Sequence, residues 1–368
     1  MPVVFPIDAL ISRLRGRRVG LAGTPGSRLS PDVYLDQVLL TRADPRAFLA
    51  LEHGLKGELQ DGVTFDSYTD PATGLPVFSF YGVHKAVPTA FFEAVDVCVF
   101  CVQDVSHRAY TFKQALAALL EQAGDHGTDI IILDRPTPLA HLGSQGPVHT
   151  QFFPLALPVV IPYTLGELGL RLIKERDLPV NADVLPVSNW RRDTRWDRLS
   201  SPWIPPSPNI PSLDSAYAYL ATGLLQATNV SEGRGTCNPF EFFGAPFIAP
   251  DSLGAMARAA RLPGVEWRDV YFKPGFNKYA GQVCGGLHLM ITDPDVFSPV
   301  DTSLTLLQSL ARLYPEQFQV TEGLCQWLDG CPRTVAEFAD LPISSVSDQW
   351  RSQSRLFDHT MDKISLYN

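Results

Sequence analysis

No uninterrupted apolar run reaches the roughly 18 residues that crossing a bilayer takes, so no membrane-spanning helix is expected. Basic residues are in deficit. The chain has 30 Lys and Arg against 39 Asp and Glu, and the net charge of -9 argues against nucleic acid, which wants a basic face. No G-x-G-x-x-G turn follows a strand-like segment, and no glycine-rich loop ends in Lys-Ser or Lys-Thr. A nucleotide cofactor is therefore not expected. The opening stretch MPVVFPIDALISRLRGRR lacks a basic segment followed by an apolar one. It reads as having no signal peptide, with a cytoplasmic location expected unless a leader has been trimmed.

Cysteine is sparse as well, at six residues. Cys98 and Cys101 have C-x-x-C spacing but lie inside the strand-like run Val95–Val102, where residues three apart point to opposite faces. They read as buried structural thiols. Neither these nor Cys237, Cys284, Cys325 and Cys331 form a zinc-spaced set with histidines, so no metal is expected.

What is present is an ordinary soluble composition, 45% hydrophobic and 19% charged, in a chain of 368 residues that is too long for one ordinary core. The first half alternates strand-like and helix-like segments. Arg17–Gly23, Ala47–Leu51, Pro76–Tyr81, Val95–Val102 and Asp129–Leu133 read as strands. Pro31–Leu40 with Ser30 as N-cap, Pro88–Ala94, Tyr110–Ala123 and Thr164–Glu175 read as helices, the last with a Thr164/Glu167 capping box. Strands separated by helices imply an α/β unit with a mostly parallel sheet over 1–180. Asn181–Pro211, rich in Pro, Trp and Arg, reads as an irregular crossing. Residues 181–368 read as a smaller α+β unit. Its helices are expected at Leu213–Gly223, Asp251–Arg261 and Ser303–Tyr314, its strands near Val265–Lys273 and Leu287–Thr292, with a helical tail from Thr334. Ligands of open parallel sheets bind beyond the carboxyl ends of the strands, and Glu52, Asp104 and Asp134 all fall at such ends.

Two loops stand out. Ser231-Glu232-Gly233-Arg234-Gly235-Thr236 sets an acid, a base and two hydroxyls among glycines, so its backbone must come close to something. Leu51-Glu52-His53-Gly54 ends a strand in a tight turn. Separated acids in glycine-bearing loops suggest carbohydrate or ester chemistry.

Several of these runs are shared with a known family. Glu52-His53-Gly54, Asp70–Val77, Gln103-Asp104-Val105 with Arg108 and Tyr110-Thr111, Leu133–Pro136, Thr164–Leu168, Pro206–Asp214, Ser231–Thr236 and Cys284-Gly285-Gly286 stand in order over roughly residues 17 to 315. In them the chain resembles the bacterial exo-β-N-acetylmuramidase family. The resemblance implies release of N-acetylmuramic acid from the non-reducing ends of peptidoglycan fragments. It also implies a Rossmann-like catalytic domain, a smaller second domain and an active cleft between them, with an amino-sugar or muropeptide as partner. The chain departs from the family pattern at Gly23–Ser27, Cys101, Ser106, Thr137, Val160–Tyr163 and Asn238, several of which replace polar or basic groups. Those departures bear on the substrate. The alternatives are the same fold acting on a different amino-sugar glycoside, or a non-catalytic sugar binder.

Glycoside cleavage needs an acid for the leaving oxygen and a second group at the anomeric carbon, which for a 2-acetamido sugar can be the substrate's own acetyl oxygen. Glu52 is the candidate acid or base, its alternative being a loop cap. Glu232 is the second main carboxylate, its alternative a structural pair with Arg234. Asp104 either orients the acetamido group or bonds Arg108. Arg234 and Arg108 are candidates to hold an acidic ligand group by bidentate bonds. Asp134 and Arg135 either touch substrate or pair with each other, Asp134 having a turn cap as its further alternative, and Asn209 and Asp214 either meet hydroxyls or shape a turn. His53 and Tyr110 either line the pocket or pack. Trp190, Trp196 and Trp203 either stack on sugars or fill a domain seam.

Overall fold

The structure is a computed structural model that describes residues 2–368 apart from 31, 83–84, 322 and 324–333, so Cys325 and Cys331 lie outside the described residues. In chain order its elements are α1 (Ile7–Leu14), β1 (Arg18–Gly23), β2 (Arg28–Ser30), β3 (Val33–Tyr34), α2 (Leu35–Arg42), β4 (Asp44–Ala50), β5 (Tyr68–Thr69), β6 (Pro76–Ser79), α3 (Thr89–Ala94), β7 (Val97–Cys101), α4 (Phe112–His126), β8 (Asp129–Leu133), α5 (Leu165–Arg176) and β9 (Ala182–Leu185). There follow α6 (Leu213–Thr222), β10 (Phe242–Ala245), α7 (Pro250–Ala259), β11 (Val265–Phe272), β12 (Cys284–Ile291), α8 (Pro299–Leu313) and two tail helices, Val335–Ala339 and Ile343–Met361.

The first lobe is a seven-stranded sheet of order β5-β6-β4-β1-β7-β8-β9, parallel except at β5. Its central strands, VCVFC and, after Asp129, the IIIL of β8, are apolar on both faces because helices cover both faces. Cys98 packs into one core and Cys101 into the other, as opposite faces require. The strand order turns back between β1 and β7, which opens a crevice at the carboxyl edge. The second lobe packs α6 and α7 on an antiparallel sheet of order β10-β12-β11, with α8 against those two helices. This is the expected α/β arrangement followed by a smaller α+β part.

Four readings change in detail. The helix expected from Pro31 starts at Leu35, because Arg28–Ser30 first pairs with Val33–Tyr34 as a small hairpin. Helix α1 was not expected. Leu10, Ile11 and Leu14 form its buried stripe. The crossing after residue 181 contains β9, which pairs with β8, so the sheet continues past residue 180. Asn368 and Tyr367 return to the first lobe: Arg192 N–H donates to the Asn368 carbonyl at 2.8 Å, and Val187 N–H to the Tyr367 hydroxyl at 3.2 Å. Among the described residues no helix is long and apolar enough to cross a membrane.

Candidate active site

The carboxyl edge and the second lobe border a half-open cleft, lined among others by Glu52, His53, Asp61, Tyr110, Thr111, Ser207, Asn209, Tyr219 and Arg234.

Glu52 stands two residues beyond the end of β4, where His53 and Gly54 both take positive φ (76° and 79°) and turn the chain sharply. The His53 ring nitrogen Nδ1 lies 2.9 Å from the Leu59 carbonyl, which pins the turn. The Thr111 hydroxyl donates to Glu52 Oε2, and Gly62 N–H donates to Oε1 at 3.1 Å. Burial, reinforced by the neighbouring Glu52 charge, raises the Tyr81 phenol well above its ordinary range. Tyr110 and Tyr219 are raised in the same sense by burial. Tyr110 and Tyr219 therefore meet the cleft as neutral groups, and Tyr81 stands neutral behind Glu52.

Tyr110 and Thr111 reach the cleft on a loop held from behind. Lys113, 1% exposed, donates to Asp104 Oδ2 at 2.9 Å and to the carbonyls of His107 and Tyr110 at 2.7 and 2.8 Å. Burial lowers the Lys113 pKa, and Asp104 works against that fall. Arg108, also buried, donates to the carbonyls of Pro147 and Leu157, both at 2.7 Å. The candidate pairing of Asp104 with Arg108 is thus not what forms. Lys113 takes Asp104, and Arg108 serves the backbone.

From the second lobe comes Arg234. Gly233 and Gly235 beside it take φ of 77° and 85°, and a Cβ there would lie 2.3 Å from the Phe242 carbonyl and 2.5 Å from that of Phe276. Only glycine fits, which accounts for the unusual run. Arg234 Nε donates to Glu232 Oε1 at 2.5 Å, and its Nη1 meets Asp61. Lys278 Nζ donates to Glu232 Oε2 at 3.0 Å and to the carbonyls of Leu225 and Val230. Glu232 is 1% exposed and does not reach the cleft wall.

Of the carboxylates expected to act, only Glu52 faces the cleft. Asp104 and Glu232 are each closed in a buried ion pair. Asp134 is sealed further along the edge, accepting from Thr164 Oγ1 (2.6 Å), Gly166 N–H (3.0 Å) and Tyr367 hydroxyl (2.9 Å). Burial pushes its pKa up to about 6. Arg135 lies under the Phe5 ring and donates to Gln103 and the Arg28 carbonyl, away from the cleft and without pairing Asp134. Asp214 is exposed in the first turn of α6. Asn209, His53, Tyr110 and Arg234 do line the cleft. Trp190 packs on Tyr367 and Trp196 on Trp203, filling seams rather than this site. Sequence reasoning missed Asp61, Tyr219 and Lys278. Thr111 and Ser207 sat inside runs already singled out, so position within a motif could have found them.

A polar, half-open cleft at the carboxyl edge of a parallel sheet, with carboxylates, phenols and a guanidinium on its wall, defines an α/β enzyme for a small polar ligand. The comparisons narrow this. Two family models, described as the N-terminal and C-terminal parts of exo-β-N-acetylmuramidase NamZ, match residues 19–214 and 217–367, and the chain belongs to that family of glycoside hydrolases. It is 37% identical to the peptidoglycan β-N-acetylmuramidase NamZ of Bacillus subtilis strain 168, over 98% of this chain and 90% of that protein. It is also similar to two crystal structures of DUF1343 family proteins from Bacteroides fragilis. One matches at a TM-score of 0.87 and 26% identity, the other at 0.79 and 22%, each over 100% of this chain and 99% of the other.

Proposed function

We propose that this chain hydrolyses the terminal glycosidic bond of peptidoglycan fragments and releases N-acetylmuramic acid from their non-reducing ends. The observation that carries the reading is Glu52: of the acids expected to act, it is the one on the cleft wall, and Thr111 and Gly62 fix its orientation. Its role is to protonate the leaving oxygen and then to take a proton from the attacking water.

Glu232 and Asp104 are held in ion pairs away from the cleft wall. The second role then falls to the substrate. Its acetyl oxygen attacks the anomeric carbon as the glycosidic bond breaks, forming a cyclic oxazolinium ion. Water, giving its proton to Glu52, opens that ring and restores the acetamido group. Arg234 holds the lactyl carboxylate. His53, Tyr110 and Asn209 shape the sugar pocket, while Arg108, Asp104, Asp134 and Glu232 support the frame.

The test is hydrolysis of a chromogenic β-N-acetylmuramide beside the matching β-N-acetylglucosaminide, with wild type and Glu52→Gln. Turnover of the muramide that the substitution leaves untouched would sink the reading. Fluorinating the substrate's acetyl group weakens its oxygen as a nucleophile, so kcat should fall with each fluorine. A flat series would remove the substrate-assisted step.

A further inference from the structure

Three consecutive residues of the loop after β4 close on the polar groups of the cleft. The Gln60 side-chain oxygen accepts from Asn209 Nδ2 at 2.8 Å, the Asp61 carboxylate accepts from Arg234 Nη1, and Gly62 N–H reaches Glu52. The Arg234 side chain is 9% exposed and that of Asp61 is 42% exposed. The guanidinium is therefore fixed in the wall, while the acid sits on the solvent side and is free to leave.

Charge balance says what leaving would do. Glu232 and Lys278 cancel within their buried pair, so the one positive charge of Arg234 is matched by Asp61. With Asp61 withdrawn, the wall carries an uncompensated guanidinium suited to a single carboxylate. A muramyl sugar brings one such group, its lactyl carboxylate, and an N-acetylglucosaminyl sugar brings none.

We propose that Asp61 is a displaceable counter-ion of the ligand site, a built-in carboxylate that occupies Arg234 in the empty cleft and gives way to the lactyl carboxylate of the ligand. The inference rests on the muramidase reading and deepens it. Exchange of one ion pair for another costs little and gains little, which keeps the released sugar from binding tightly. Because Asp61 is tethered nine residues from Glu52, it returns to Arg234 at high local concentration as the product departs. A glycoside without a carboxylate leaves the Asp61–Arg234 pair in place.

Calorimetric binding of free N-acetylmuramic acid and of N-acetylglucosamine to the full chain tests this without any turnover. Asp61→Asn keeps the shape and removes the competing charge. The dissociation constant of N-acetylmuramic acid should fall about three- to tenfold, and that of N-acetylglucosamine should move less than about twofold. In Arg234→Gln the preference for the acidic sugar should vanish whether or not Asp61 is also replaced. If Asp61→Asn weakens N-acetylmuramic acid, leaves it unchanged or shifts both sugars alike, Asp61 merely positions Arg234 and the inference is overturned. Absence of binding in every variant overturns it as well. Failure of the wild type to cleave the muramide, with these shifts intact, counts against the hydrolase reading alone.

Discussion

At the β4 end of the sheet's carboxyl edge, Glu52 meets the cleft with two donors on it. At the β8 end, Asp134 lies 2% exposed beneath the C-terminal tail with three. Both acids terminate parallel strands, and both looked like site residues. What separates them is the segment that covers them. After β4 the chain folds into a loop and leaves a hollow, whereas after β8 the N-terminus of α5 and Tyr367 close over the strand end. Around Asp134, Thr164 N–H donates to Glu167 at 2.8 Å, and Arg192 grips the same Glu167 carboxylate at 2.6 Å. Position at a strand end thus nominates a residue for function, and the later chain decides between chemistry and cohesion.

The comparison makes predictions of graded size. Glu52→Gln should lower kcat on the muramide by about 10²–10⁴-fold, as loss of a positioned acid does, while the thermal midpoint stays close to wild type. A matched loss of stability would put Glu52 in the same class as Asp134. Glu232→Gln should do the reverse first. It removes the carboxylate partner of Lys278 and one of the two partners of Arg234, at a cost of about 3 kcal/mol, so the thermal midpoint should drop by about 4 °C. A stable variant with lost turnover would return Glu232 to the chemistry.

The smallest effect is on pH dependence. The Asp134 value of about 6 in the fold lies above the 3.8 of an exposed Asp. Between these values the folded protein keeps a proton that the unfolded chain has lost, so this group's contribution to stability falls as pH rises through the window and is level above it. The interval amounts to on the order of 3 kcal/mol. Asp134→Asn cannot titrate. From about pH 4 to about pH 7, wild type should therefore lose unfolding free energy relative to the variant. Parallel curves in urea would dismiss the assignment.

The sheet was legible because its signals are local. Asp129–Leu133 and Val97–Cys101 are apolar on both faces, and Thr164 and Glu167 form the capping box their spacing announces. The Arg234 loop was legible through its glycines. The partners that sort the acids were not. Lys113 lies nine residues from Asp104, and Lys278 lies 46 from Glu232, with nothing in either neighbourhood to mark a destination inside the protein. Asp61 is one exposed acid among many until the second lobe brings Arg234 against it. The hairpin before α2 was lost to a proline that resembles a helix start.

The bond from Tyr367 to Asp134 spans 233 residues and ties the tail to the end of β8. It bears on how the chain is made. During synthesis the sheet lobe emerges first, yet Asp134 keeps an unfilled acceptor and Glu167 an unfilled flank until residues 366 and 367 have followed. The join between the two family segments, near residue 215, divides the sequence without dividing the folding unit. A first half expressed alone would carry an open seam where its terminal three residues belong.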